Sequence, residues 1–184
     1  MINQIDTIIR ESILVKTEIL ESSKIKNTIN KSVDIILEAL KRGNKLYFCG
    51  NGGSAADAQH LAAEFTGRFY LDRQALPAEA LHCNTSYMTA VANDYSYEDV
   101  YSRMIEGVSK PGDVLIGLST SGNSKNIIKA LKVAKLKKLH TISFTGLNGG
   151  LMKNHSDYLL DIPSENTPRI QECHILIGHI ICQL

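Results

Sequence analysis

A run of apolar residues, Leu46-Tyr47-Phe48-Cys49, passes through the turn Gly50-Asn51-Gly52-Gly53 straight into an alanine-rich helix carrying Ser54 to Glu64. A short apolar run closed by glycines reads as a strand buried on both faces, and its hand-over to a helix is the first half of a parallel βαβ unit. The alternation continues, with strands near 45–49, 78–82, 114–118, 140–144 and 158–161. Helices fall between them near 54–69, 85–93, 96–108, 124–137 and 149–154, with a last one from about 168. The expected fold is therefore α/β, a three-layer αβα arrangement around a five-stranded parallel sheet of flavodoxin-like kind. Lys110-Pro111-Gly112-Asp113 marks the turn into the third strand.

Ahead of this pattern lie two helices, 5–21 and 24–42. The second carries Ile25, Ile29, Val33, Ile36, Leu37 and Leu40 at helical spacing and stops at Gly43. The first spreads Ile5, Ile8, Ile9, Ile13, Leu14, Ile19 and Leu20 over a broader face, which suits either a fully packed core helix or a subunit contact. A chain of 184 residues is expected to make one domain, 1–184, with 1–43 as a helical extension. A net charge of +1 without a dense Lys/Arg block argues against nucleic acid as a partner, and no apolar run reaches membrane-spanning length. Cys49, Cys83, Cys173 and Cys182 form no CxxC pair and read as reduced thiols, so a cytoplasmic location is expected.

Open parallel sheets bind ligands outside the carboxyl ends of their strands. Two turns there open helices and offer free N–H groups to an anion. One is Gly50–Gly53; the other, Ser119-Thr120-Ser121-Gly122-Asn123-Ser124, adds four hydroxyls, more than capping a helix requires. The second does not have P-loop spacing. The first fits the dinucleotide pattern only weakly, because the second strand ends at His82-Cys83-Asn84 with no acid to hold a ribose. His60 and Glu64, at i and i+4, face one point, as two metal ligands or as ligand and base. On the last helix, Gln171 and His179 lie about 80° apart around the axis, and Glu172 lies closer still to His179. Helical geometry leaves Gln171 and Glu172 both open; His174 points away from His179 and is expected to be structural or a subunit contact. A phosphate cradle beside a His/Glu pair suits an enzyme for a phosphorylated small molecule.

The stretch from Cys49 to Glu64, the Ser119–Ser124 loop and Arg169-Ile170-Gln171-Glu172-Cys173-His174 closely resemble the phosphoheptose isomerases of the sugar isomerase (SIS) fold group, along essentially the whole chain. The resemblance implies interconversion of sedoheptulose 7-phosphate and a manno-heptose 7-phosphate for bacterial surface polysaccharide, and a homotetramer whose N-terminal helices serve oligomerisation. It implies one zinc ion per subunit on His60, Glu64, Gln171 and His179. Phosphate contacts map to Ser119, Thr120, Ser121 and Ser124. Other substrate contacts map to Asn51, Gly52, Gly53, Ser54, Glu64, Asn93, Asp94 and Gln171. Moving a carbonyl between neighbouring carbons needs a base and an acid, roles given to Glu64 and His179. The alternatives are a binding module resembling the DnaA initiator-associating protein, or an isomerase for another sugar phosphate.

Overall fold

In the computed structural model, which describes residues 2–184, five parallel strands form one sheet: β1 (Leu46–Gly50), β2 (Ala78–Ala80), β3 (Val114–Ser119), β4 (His140–Thr145) and β5 (Tyr158–Asp161). Their order is β2-β1-β3-β4-β5. Between β1 and β3 the winding reverses, and Gly50 pairs with Leu118, so the turns leaving these two strands lie side by side. That is the switch point at which such sheets receive ligands.

Alternation along the strands makes two cores. Leu46, Phe48, Ile116, Leu118, Ile142 and Phe144 face α1 (Ile2–Glu21), α2 (Ser23–Lys41), α3 (Gly53–Thr66) and α7 (Thr167–Gln183). Tyr47, Cys49 and Leu115 face α4 (Thr85–Asp94), α5 (Val100–Val108) and α6 (Lys125–Leu136). Each fully buried large apolar side chain contributes about 1.5–3 kcal/mol. At the other end of the sheet, the buried carboxylate of Asp113 accepts from Asn44 Nδ2 (2.9 Å) and from the N–H groups of Lys45 (2.9 Å) and Lys110 (2.8 Å). It ties the starts of β1 and β3 together.

The expected elements all appear, with four differences. Helix 54–69 ends at Thr66, because the Arg73 guanidinium donates to the carbonyls of Glu64 and Phe65 (3.0 Å each) and turns the chain back over the helix end. Only Ala78–Ala80 of the second strand pairs, since it is an edge strand with one neighbour. The 96–108 helix is a 3-10 turn, Tyr97–Asp99, followed by α5. The expected helix at 149–154 is a 3-10 turn, Gly150–His155, pinned where Leu151 N–H donates to Asn123 Oδ1 and Met152 N–H to the Gly122 carbonyl, both 2.9 Å.

Helix α1 buries only Val15 and Ile19 and rests on α7 through polar contacts. Ser12 donates to Glu172 Oε2 (2.6 Å), and Arg169, itself buried, donates to the Ile8 carbonyl (3.3 Å) and pairs with Glu172. Seven large side chains stay exposed on α1: Ile2, Ile5, Ile8, Ile9, Ile13, Leu14 and Leu20. Among the described residues no helix is long and apolar enough to cross a membrane.

Candidate active site

Helix α3 starts at the close of β1 because Gly52 adopts φ +57°, a left-handed conformation that side chains disfavour. Gly53 is required for a different reason. A Cβ there would come within 2.6 Å of Gln171 Nε2, so its hydrogen is what lets α7 lean against the first turn of α3. That contact brings together residues far apart in the chain.

Two clusters result. The first is a pocket lined by Asn51, Ser54, Ser119, Thr120, Ser121, Ser124, Thr167 and Gln171. Ser119 Oγ lies 2.8 Å from Ser124 Oγ and 3.4 Å from Ser121 Oγ. Ser124 is the N-cap residue of α6, yet its side chain makes no capping bond, which removes capping as the reason for that hydroxyl. The loop is instead shaped by Asn123, whose N–H donates to Ser121 Oγ (3.1 Å) and whose side chain donates to the Ser121 carbonyl (2.9 Å). Hydroxyls converging beside a helix N-terminus suit an anion.

The second cluster lies farther along the same two helices. His60 Nε2 is 3.0 Å from Glu64 Oε1 and 3.2 Å from His179 Nε2, and the three ligating atoms lie within 4.8 Å of one another. Two imidazole nitrogens facing each other beside a carboxylate are an arrangement that a shared cation satisfies, and two histidines with one glutamate match a catalytic zinc set. The group therefore fits a divalent metal. Phe69 stacks on His179, with ring centroids 5.6 Å apart and planes inclined by 23°.

Other expected residues separate. Glu172 is taken up by Arg169, Ser12 and Lys16, which hold its carboxyl below the usual range against the opposing effect of burial; Gln171 is the one that lines the pocket. His174 is a core residue, its Nε2 3.1 Å from the Thr145 carbonyl, and burial pushes its imidazole down to about 4. Asn93 and Asp94 are exposed at the end of α4, bonded to each other (2.9 Å), and do not line the pocket.

Three further residues stand out. Asn126, buried on the first turn of α6, bonds the Asn51 side chain, and Thr167 lines the pocket. Asp57, one turn before His60, has a buried Oδ2 with no hydrogen-bond partner; burial raises its carboxyl pKa, opposed by His60 and His179. Its i−3 spacing from His60 was the available signal.

The profile of the SIS domain matches residues 11–146. A phosphoheptose isomerase of Clostridium acetobutylicum is 52% identical over 184 residues, covering all of this chain and 94% of that protein. The chain belongs to the phosphoheptose isomerase family. Solved structures agree. The phosphoheptose isomerase of Neisseria gonorrhoeae superposes with a TM-score of 0.92 at 40% identity, covering 98% of this chain and 96% of that one. That of Francisella tularensis gives 0.94 at 31% identity over 99% and 96%. Like these phosphoheptose isomerases, the protein is an aldose–ketose isomerase, and the serine pocket and the His60–Glu64–His179 group are its candidate phosphate and reaction ends.

Proposed function

We propose that the protein interconverts D-sedoheptulose 7-phosphate and D-glycero-D-manno-heptose 7-phosphate, feeding heptose into bacterial surface polysaccharide. The observation that carries this reading is that α3 and α7 each contribute to both clusters: Ser54 with His60 and Glu64, and Gln171 with His179. A sugar phosphate with its phosphate in the serine pocket and its carbonyl at the His60–Glu64–His179 group would lie along these two helices.

In this assignment the hydroxyls of Ser119, Thr120, Ser121 and Ser124 and the α6 N-terminus bind the phosphate, while Asn51, Ser54 and the Gly52–Gly53 backbone meet sugar hydroxyls. Glu64 Oε1 is engaged by His60, leaving Oε2 to take the proton from the carbon next to the carbonyl. The resulting enediol is reprotonated at the neighbouring carbon by the same carboxyl. His179 passes the hydroxyl proton between the two oxygens. Zinc bound by His60, Glu64, Gln171 and His179 would supply positive charge against the developing enediolate. Asn93 and Asp94 then serve a site completed across a subunit boundary. The exposed apolar face of α1 supports such an assembly, a homotetramer.

The test is to incubate the purified protein with sedoheptulose 7-phosphate and follow aldose formation with and without chelator. Absence of turnover in the metal-loaded protein defeats the assignment. Glu64→Gln is expected to lower kcat by about 10²–10⁴-fold while phosphate-dependent binding persists; a variant near full activity means that another group is the base.

A further inference from the structure

The side chain of Asn51 enters the substrate pocket already bonded on one edge. Its Oδ1 accepts from Asn126 Nδ2 (2.9 Å) and from the Tyr97 hydroxyl (3.1 Å), and its Nδ2 donates to Asn126 Oδ1 (3.0 Å). Asn126 is 3% exposed, and its Oδ1 also accepts the Ile127 N–H (3.0 Å), so its own amide is fixed by the backbone of α6. An amide carbonyl has two acceptor sites and an amide nitrogen two hydrogens. Both acceptor sites of Asn51 are therefore filled, and one N–H remains.

We propose that Asn126 and Tyr97 are positioning residues that lock the Asn51 carboxamide as a pure donor, so that it selects an oxygen acceptor on the substrate. A flipped amide would set an N–H against the Asn126 Nδ2 donor and leave Asn126 Oδ1 facing an oxygen, while the Tyr97 hydroxyl fills the second acceptor site in the observed orientation. The lock makes Asn51 blind to substrate donors. Tyr97 lies three residues after Asp94, so its hydroxyl also fastens that segment to the pocket rim. The adjacent helix repeats the fastening one residue back, where the buried Tyr101 hydroxyl donates to the Gly50 carbonyl.

The inference rests on the isomerase reading for its substrate, and two arms separate failure of one from failure of the other. In the first, Tyr97→Phe, at a half-exposed site that folding does not depend on, raises the KM for sedoheptulose 7-phosphate about three- to tenfold, with little change in kcat. In an Asn51→Ala background the same substitution has no further effect on KM. An equal rise in both backgrounds, an unchanged KM, or a fall in kcat alone overturns the proposal. The second arm needs no turnover: in the substrate-free protein the Asn51 side chain gives two separate amide proton resonances, one slow to exchange with solvent. Tyr97→Phe speeds that exchange, and Asn126→Ala, where it folds, does so more strongly. Equally fast exchange of both protons in the unsubstituted protein refutes the lock whatever the reaction proves to be.

Discussion

Replacing Gly53 by alanine should remove activity without removing stability. The backbone φ at Gly53 is not left-handed, and the position opens α3, where alanine is favoured over glycine by up to about 1 kcal/mol. The added Cβ would lie 2.6 Å from Gln171 Nε2 and 3.0 Å from its Cδ and Oε1. Ordinary contact begins near 3.4 Å, so the carboxamide must retreat by somewhat under an ångström, which the free end of a flexible side chain can do. Gain and retreat nearly cancel, leaving the midpoint of chemical denaturation within about 1 kcal/mol of the unsubstituted protein. Displacement of that size at a residue that positions the substrate costs about 10²-fold in kcat/KM. The assay pairs sedoheptulose 7-phosphate turnover with urea denaturation of the same preparation. If Gly53→Ala keeps full activity, Gln171 is not part of the site; if activity and stability fall together, the glycine serves the fold instead.

Asp113→Ala strips the acceptor from three donors at the start of β1 and β3 and should cost about 2–4 kcal/mol, read as a lower denaturation midpoint, while kcat per folded molecule stays unchanged at the far end of the sheet. His174 binds its proton more weakly folded than unfolded. The unfolded chain therefore takes up more protons between about pH 6.5 and pH 4, and stability falls as the pH drops through that window. His174→Gln should flatten the slope of melting temperature against pH there; an unchanged slope assigns the acid sensitivity to other groups. Addition of zinc to the chelated protein should raise its melting temperature, and His60→Ala should abolish the rise; a rise that survives places the metal elsewhere.

The sheet is legible because buried parallel strands announce themselves as apolar runs, and even the edge strand Ala78–Ala80 is expected from its first residue, with only its C-terminal end placed two residues too far. Helix periodicity placed His60 with Glu64 and put Gln171, Glu172 and His179 on one flank of α7. It did not choose between Gln171 and Glu172, because that choice is made by α1: Ser12 and Lys16 arrive from some 160 residues away to claim Glu172. The end of α3 was missed for a similar reason, since the carbonyls that close it are capped by a side chain, Arg73, rather than by a local stop signal. In the sequence Asn126 carries no signal beyond that of a polar residue in the first turn of a helix. Its function depends on the register of β1 against β3, which lays Asn51 beside it.

His60 and His179 meet across 119 residues of chain. During synthesis or refolding the sheet and helices α2 to α6 can gather before α7 has docked, because its contacts with α3 close the longest loop in the site. A molecule stalled there would carry a complete serine loop and half a reaction centre, able to hold phosphate but not to act on a sugar. Regain of turnover should therefore follow the docking of the last helix, later than the signals that report the sheet.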